Sequence, residues 1–455
     1  MLRLHDTATG AVRLLAQRTP GEVSLYVCGP TVYDLPHVGH GRSVLTYDIL
    51  RRFLEWSGLR VRHVSNITDI DDKIIERARG VGEDPVALAR RYEAEWWAAV
   101  DRLGALRPTE VPRATDFVER MIDVIRLLAD RGAAYPTSDG VYLAVEEVDG
   151  YGLLAQQDLR QLRATERVDE GRREEKRSPL DFALWKLAKP GEPSWPSPWG
   201  DGRPGWHTEC VAMGLDLLGE GFDLHTGGLD LKFPHHENER AQAVVLGKGF
   251  ANHWMHHAFV VDPSGEKMSK SLGNFTSLTD LLERVDHRAY RLLLLQAHYR
   301  SPVLVDATSI GAAERSLGTL DRLARRAVEA GLDPAAPLDR AALTRWVEAM
   351  EDDLDTVRAL SFVFDWVRAA NAALDGGDTE EATRLVRLVT EATGAVGIEL
   401  RAGGDEADAE ALALATARDE ARAARDWATA DRLRDELVAR GWKVEDTPEG
   451  TRLRG

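Results

Sequence analysis

Apolar positions in the first 110 residues switch between two periods. Val23 to Cys28 (VSLYVC) is a β-prone apolar run, closed by Gly29-Pro30. From His40 to Trp56 the residues Val44, Leu45, Tyr47, Leu50, Phe53 and Leu54 recur at helical spacing, and Gly58 closes that helix. Arg60 to Ser65 (RVRHVS) reads as a second strand, and another helix starts over Asp71 to Arg79. Strand, helix, strand is a βαβ unit. The pattern therefore predicts an α/β fold with a parallel sheet and ligands at the carboxyl ends of its strands.

Further along, residues 186–206 (KLAKPGEPSWPSPWGDGRPGW) predict a long loop rich in Pro, Gly and Trp. A loop of that length inside a compact domain is functional or disordered, and its tryptophans favour an ordered one. From about 310 to 400 the pattern is helical, with few breakers. Gly403-Gly404, followed by Asp405-Glu406, reads as a linker, and 411–455 as a helical hairpin with a short β-prone end.

Composition narrows the class. A chain of 455 residues, 44% of them hydrophobic, has material for two to four globular domains of about 100–200 residues each. The start, MLRLHDTATG, lacks the apolar core of a signal peptide, and no run approaches the length of a membrane span. Cys28 and Cys210 are the only two cysteines, which rules out a disulfide framework and predicts a reducing, cytoplasmic setting. The net charge of −17 argues against a nucleic-acid partner, because phosphate contacts leave a basic footprint. The regional count weakens that argument. Residues 341–410 hold 6 basic and 16 acidic side chains, whereas 411–455 hold 9 of each.

Two short segments carry phosphate chemistry. PHVGHGR (36–42) lies between the first strand and the first helix, where free amides and the helix dipole attract anions. His37 and His40 lie three apart on one face of the first turn, and Gly39 between them lets a flat base approach the backbone. SGEKMSKSLGN (264–274) carries Lys267 and Lys270 between Gly265 and Gly273. Two ammonium groups there can close over a triphosphate and neutralise the departing pyrophosphate. Each segment alone is a weak signal. Together, in this order, they resemble the HIGH and KMSKS sequences of class I aminoacyl-tRNA synthetases.

A third constellation is metal-like. Seven of the 13 histidines fall between His207 and His257, around Cys210 and the FPHHENE run of 233–239. Cys28, Cys210, His235 and Glu239 offer two thiolates, an imidazole and a carboxylate, a donor set acceptable to zinc. His235 and Glu239 are i and i+4 on a helix. His236 is the alternative to His235, but on a regular helix it would point about 100° away, so one of the two shares the face of Glu239.

Longer matches then make the resemblance specific. YVCGPTVYD (26–34), NITDIDDKII (66–75), SPLDFALWK (178–186), GRPGWHTEC (202–210), HTGGLDLKFPHHENE (225–239) and RDWATADRLRDEL (425–437) are similar to cysteinyl-tRNA synthetases. The resemblance implies one zinc on Cys28, Cys210, His235 and Glu239, with the substrate thiolate bound directly to it. It implies ATP contacts from His37, Gly39, His40 and Lys270, with magnesium accompanying ATP. It implies that Thr68, Trp206, His225 and Asp230 help hold the cysteine. Val38 inside the HIGH match and Asp355 in MEDDLDTVRAL depart from the usual spelling, and the stretch between Arg160 and Arg177 is unusually charged, as a solvated surface segment would be. A cysteine ligase of mycothiol synthesis would share the catalytic core, but GPTVYD after Cys28 and the matched tail favour the synthetase.

The expectation is thus a Rossmann-like catalytic domain over 1–261 with an insertion near 105–200, and a KMSKS loop with a connecting fold over 262–310. A helical bundle over 311–402 and a small anticodon-binding domain over 405–455 follow. The expected substrates are L-cysteine, ATP and tRNA(Cys). The expected state is a monomer without a membrane partner, and tRNA should meet basic patches that include the Arg-bearing tail.

Overall fold

The structure is a computed structural model that describes residues 1–157, 175–265, 268, 277–402, 409–440, 442–447 and 450–454. Lys267, Lys270, Gly273, the Gly403–Glu406 linker and most of the charged 160–177 stretch lie outside the described residues. The chain forms two compact units. One comprises residues 1–317, 339–365 and 391–398; the other comprises 318–338, 366–390 and 399–455. Among the described residues, no helix is long and apolar enough to cross a membrane.

The first unit opens with the hairpin β1 (Arg3–Asp6) and β2 (Ala11–Leu14). It then builds the predicted βαβ unit from β3 (Glu22–Val27), α1 (Val38–Trp56) and β4 (Arg60–Ser65). The strand ends one residue earlier than its apolar run and the helix begins two residues before His40, because His37 caps it. α2 (Asp72–Val81) and α3 (Pro85–Arg102) follow, capped by Asp71 and Asp84.

An excursion then leaves the sheet: α4 (Val118–Asp130), β5 (Ala134–Thr137), β6 (Gly140–Leu143), β7 (Phe182–Leu187) and β8 (Gly202–Pro204). These strands form an antiparallel sheet in the order β5-β6-β7-β8. Residues 186–187 and 202–204 of the predicted 186–206 loop therefore belong to strands, and Trp206 opens the helix that follows. Lys186 pairs with Arg203, and Trp195 bridges back to Gly202. This pairing is non-local, and a three-residue strand ending in proline carries no periodic signal.

The chain returns through α5 (Trp206–Leu217), β9 (Leu224–Gly228), α6 (Glu237–Val245) and β10 (Trp254–His257). All pairings in the central sheet are parallel, in the order β10-β9-β3-β4. Tyr26 stands between His225 on one side and Val64 on the other. A core of Tyr26, Val64, Met121, Val211, Met213 and Phe222 packs α4 and α5 against this sheet.

β11 (Val260–Val261), α7 (Leu278–Arg284), α8 (His287–Leu295) and β12 (Val303–Leu304) come next. Leu278 N–H donates to the Pro36 carbonyl, and Arg42 donates to the carbonyls of Phe259, Tyr299 and Ser301. The chain on both sides of the 266–276 segment is thereby tied to the start of α1. Helices α9 (Ala307–Glu329), α10 (Thr344–Glu351), α11 (Thr356–Asp375) and α12 (Thr379–Gly394) realise the helical pattern of 310–400.

In the second unit, α13 (Ala409–Ala423) and α14 (Trp427–Ala439) precede the hairpin β13 (Lys443–Thr447) and β14 (Gly450–Arg454). The Arg-bearing tail spends part of its charge internally. Arg418 is buried against Asp446 at 2.8 Å, Arg422 shares that carboxylate, and Arg440 pairs with Glu410.

One buried ion pair locks α1 to α8. Arg291 and Asp48 have almost no exposed surface, and Asp48 also holds Arg52 and the Leu106 amide. Removing one partner strands a charge in a dry interior. Arg291→Met is expected to lower the unfolding free energy by about 3 kcal/mol, read from the urea midpoint followed by tryptophan fluorescence.

Candidate active site

The site is built on the carboxyl ends of β3, β4 and β9. Cys28 follows β3 directly, and Gly29 packs against the backbone of Asn66, which follows β4. A Cβ on Gly29 would lie 1.6 Å from the Asn66 carbonyl oxygen, so no other residue fits there. The Gly29 amide donates to the Asn66 side chain at 2.9 Å.

His37 and His40 form a reciprocal cap at the start of α1. His37 Nδ1 accepts from the His40 amide at 3.3 Å, and His40 Nδ1 accepts from the His37 amide at 3.2 Å. The two rings stack with centroids 3.7 Å apart. Because each Nδ1 accepts, each ring proton sits on Nε2, which makes both Nε2 groups donors at a helix N-terminus. Gly39 makes the stack possible, since a Cβ there would meet the His37 ring at 2.9 Å.

Cys28, Cys210, His235 and Glu239 converge, with donor atoms all within 4.8 Å of one another. The sulfurs are 3.6 Å apart, Cys210 Sγ is 3.7 Å from His235 Nε2, and His235 Nε2 is 2.8 Å from Glu239 Oε1. Zinc–sulfur bonds of about 2.3 Å in a tetrahedral set would put two sulfurs about 3.8 Å apart. Three of the four residues are fully buried.

Electrostatics point the same way. Burial, then Cys210 and Glu239, push the Cys28 thiol well above its usual range. Burial also acts on Cys210, but hydrogen bonds from Cys28 and His235 bring it down to about 7. Burial opposes ionisation of Glu239, yet His235 and His225 hold its carboxyl well below the usual range. Buried thiolate and carboxylate donors gathered away from water form a set that a cation fits.

His236 does not point away as a regular helix would have it. Residues 232–236 are an irregular turn, with Phe233 extended (φ −143, ψ 133), and α6 starts after them. His236 Nε2 therefore lies 3.2 Å from Cys28 Sγ, in a second convergent set made of Cys28, His225, His236 and Glu239. The two sets share Cys28 and Glu239.

The remaining candidates fall at different distances from this cluster. Trp206, at the start of α5, stacks on His235 with centroids 3.9 Å apart. His225 contacts Glu239 through Nε2 and the Tyr26 carbonyl through Nδ1. Thr68 is buried and donates to Glu209 at 2.7 Å. Asp230 sits on the exposed turn after β9 and is not among the converging donors.

Three further polar residues support the site and escaped the sequence reading. His207 contacts His235 at 2.9 Å, His256 contacts His236 at 2.8 Å, and Glu209 orients Thr68. The density of histidines around 207–257 was the available signal for the first two. Glu209 had none beyond its place beside Cys210.

A twisted parallel sheet with a histidine-capped helix at its switch point is the architecture of a class I tRNA synthetase. The family described as "tRNA synthetases class I (C) catalytic domain" matches residues 14–315, and "DALR domain" matches 345–401. The chain is similar in fold to Mycobacterium tuberculosis methionyl-tRNA synthetase in complex with methionyl-adenylate, with TM-score 0.60, 18% identity, and 82% and 89% of the two chains covered. A putative arginyl-tRNA synthetase from Campylobacter jejuni gives TM-score 0.55 at 13% identity, covering 86% and 95%. Full-length relatives narrow the class. A cysteine–tRNA ligase of Halorhodospira halophila is 45% identical over all of this chain and 99% of its own length, and one of Cronobacter sakazakii is 44% identical over all of both. The chain belongs to the cysteine–tRNA ligase family, enzymes that join cysteine to its tRNA.

The cap at His37 is a structural contact in its own right. His37→Ala is expected to destabilise the first turn of α1 by about 1 kcal/mol. Hydrogen exchange at the amides of 39–41 should then quicken by about fivefold.

Proposed function

We propose that this chain selects cysteine over serine by its sulfur, activates it with ATP, and transfers it to the terminal ribose of tRNA(Cys). The observation that carries this reading is the convergence of Cys28, Cys210, His235 and Glu239 beside the histidine-capped helix start. These four residues would hold zinc. When bound there, it would offer the substrate thiolate a bond that a serine hydroxyl makes poorly, a distinction that an apolar pocket could not draw.

The protein's own groups then position the reaction. Trp206, His225 and Thr68 enclose the amino acid; the Thr68 hydroxyl donates to Glu209 and accepts from the Asn66 side chain, which leaves one lone pair for the substrate ammonium. Asp230 guards the mouth on the exposed turn. His37 and His40 donate from Nε2 to the phosphates of ATP. The cysteine carboxylate attacks the α-phosphorus in line, and pyrophosphate leaves with its charge met by Lys267 and Lys270. Magnesium enters with ATP as part of that substrate. The ribose 2′-hydroxyl of the tRNA then takes the cysteinyl group from the adenylate. The small tail unit over 409–454 would meet the anticodon end, through exposed Arg425, Trp427 and Arg434 rather than through the internally paired arginines.

Two measurements test this. Lys270→Ala is expected to slow cysteine-dependent pyrophosphate exchange by about tenfold while cysteine binding is nearly intact. An unchanged rate contradicts the role given to that lysine. Cys210→Ser is expected to lose bound zinc, read by elemental analysis, and discrimination against serine together. Discrimination that survives metal loss removes the sulfur-recognition reading.

A further inference from the structure

The run MEDDLDTVRAL (350–360) carries the turn between α10 and α11. Asp355 caps α11 by accepting from the Arg358 amide at 3.0 Å. Asp353 is placed differently. It and Leu354 are consecutive left-handed residues, with φ of 57° and 54°, and neither is glycine. Residues other than glycine take that conformation singly and at a cost, so two in a row persist where the surroundings over-determine them. Here they do. The Asp353 carboxylate is buried and accepts from the His5 amide at 2.7 Å, the Tyr299 hydroxyl at 2.6 Å and Arg300 Nε at 2.8 Å. Its amide donates to the Arg3 carbonyl at 2.9 Å, and its carbonyl accepts from His298 Nε2 at 2.9 Å. Main chain and side chain of one residue thus clamp β1 and the 298–300 segment to the turn.

That segment also anchors Arg42, which lies two residues after His40. Arg42 is 2% exposed and donates to the carbonyls of Tyr299 at 3.0 Å, Ser301 at 2.6 Å and Phe259 at 2.5 Å. Burial lowers its pKa to about 10, so the guanidinium stays charged at neutral pH and keeps all its donors. Phe259 immediately precedes β11, from which the chain runs on to Lys267 and Lys270. The Phe259 carbonyl also accepts from the Val303 amide at 3.0 Å. One guanidinium therefore joins the histidine-bearing start of α1 to the root of the lysine-bearing segment, with Tyr299–Ser301 as the third corner. A void between Arg42, Tyr299, Leu354 and Thr356 leaves part of this corner unpacked, so its hydrogen bonds carry more of the placement of Arg42.

We propose that Asp353 is a positioning residue for cysteine activation, acting through Tyr299–Ser301 on Arg42. The proposal rests on the activation reading above and adds a residue to it. Asp353 touches no substrate. It holds the segment that supplies two of the three carbonyls gripped by Arg42. It thereby sets the separation between His37 and His40 on one side and the chain leading to Lys267 and Lys270 on the other. In-line attack at the α-phosphorus needs both ends of the triphosphate held at once, and a misplacement of about 1 Å can slow such a step by about a hundredfold. Cysteine is held elsewhere, by the groups around Cys28 and Trp206, so its binding does not depend on this corner.

The test uses the full chain and cysteine-dependent pyrophosphate exchange, measured well below the melting temperature and expressed per folded molecule by circular dichroism. Asp353→Asn keeps the size and tolerates the left-handed backbone, but gives up the charge that holds Arg300. It should lower kcat about tenfold while the KM for cysteine moves by less than about twofold. Tyr299→Phe removes the hydroxyl bond to Asp353 and leaves the carbonyl to Arg42. It should lower kcat about threefold, and it decides the question alone if Asp353→Asn does not fold. Arg42→Lys puts one ammonium in place of the fork and should also slow exchange. Combined with Asp353→Asn, it should be no slower than the slower single variant, because the two act in series. A purely structural role would lower the melting temperature and leave kcat per folded molecule as in wild type, which overturns the proposal. So do slowdowns that multiply in the double variant, or a raised KM for cysteine at unchanged kcat. A wild-type protein without exchange would instead break the activation reading itself.

Discussion

The parallel pairing of β3 with β4 on one edge and β9 on the other sets the rest of the site. β3 is one of the two inner strands, and its register puts Tyr26 level with His225 and Val64. That alignment ends three segments of distant sequence, near residues 28, 66 and 228, on one rim of the sheet. Cys28 then needs no search to find His225 or Cys210. Backbone hydrogen bonds worth little individually fix the distances on which four side-chain donors depend.

The cost of this arrangement is electrostatic. Glu239, Glu209, Cys210, His235 and His236 are all buried, and each would oppose its own charge if it stood alone. Glu239 is held ionised because it faces two imidazoles, whereas Glu209, with only the Thr68 hydroxyl against its burial, has its carboxyl pushed well above the usual range. Farther out, the Asp48–Arg291 pair repeats the pattern between α1 and α8. The molecule places its least comfortable charges where its elements meet, so the same contacts that are hardest to bury also define how those elements sit.

Much of this was legible in the chain. The βαβ start could be read because its strands and helix are long and periodic, and Arg60–Ser65 falls where the pattern puts it. The four donors could be read because cysteine is rare here and histidine is crowded into one region. Two things were not legible. The strands hidden in the 186–206 segment depend on partners across the insertion sheet, and Gly202–Pro204 is too short to announce itself. The position of His236 depends on a break at Phe233, so helical arithmetic misplaced it. Arg418 shows the matching limit for charge: a count of arginines does not reveal which of them a neighbouring aspartate has already engaged.

Gly29 carries a wider implication. Because two chain segments touch there backbone to backbone, the contact between Gly29 and Asn66 has no room for a side chain at position 29. The Gly29 amide donates to the Asn66 side chain at 2.9 Å, so the polar side chain held at this contact is the one that Asn66 supplies. A change at position 29 would therefore have to move the backbone of Asn66, and with it the side chain that reaches Gly29. The spacing between the ends of β3 and β4 is thus fixed by the absence of one methyl group, a constraint that no neighbouring substitution can relieve.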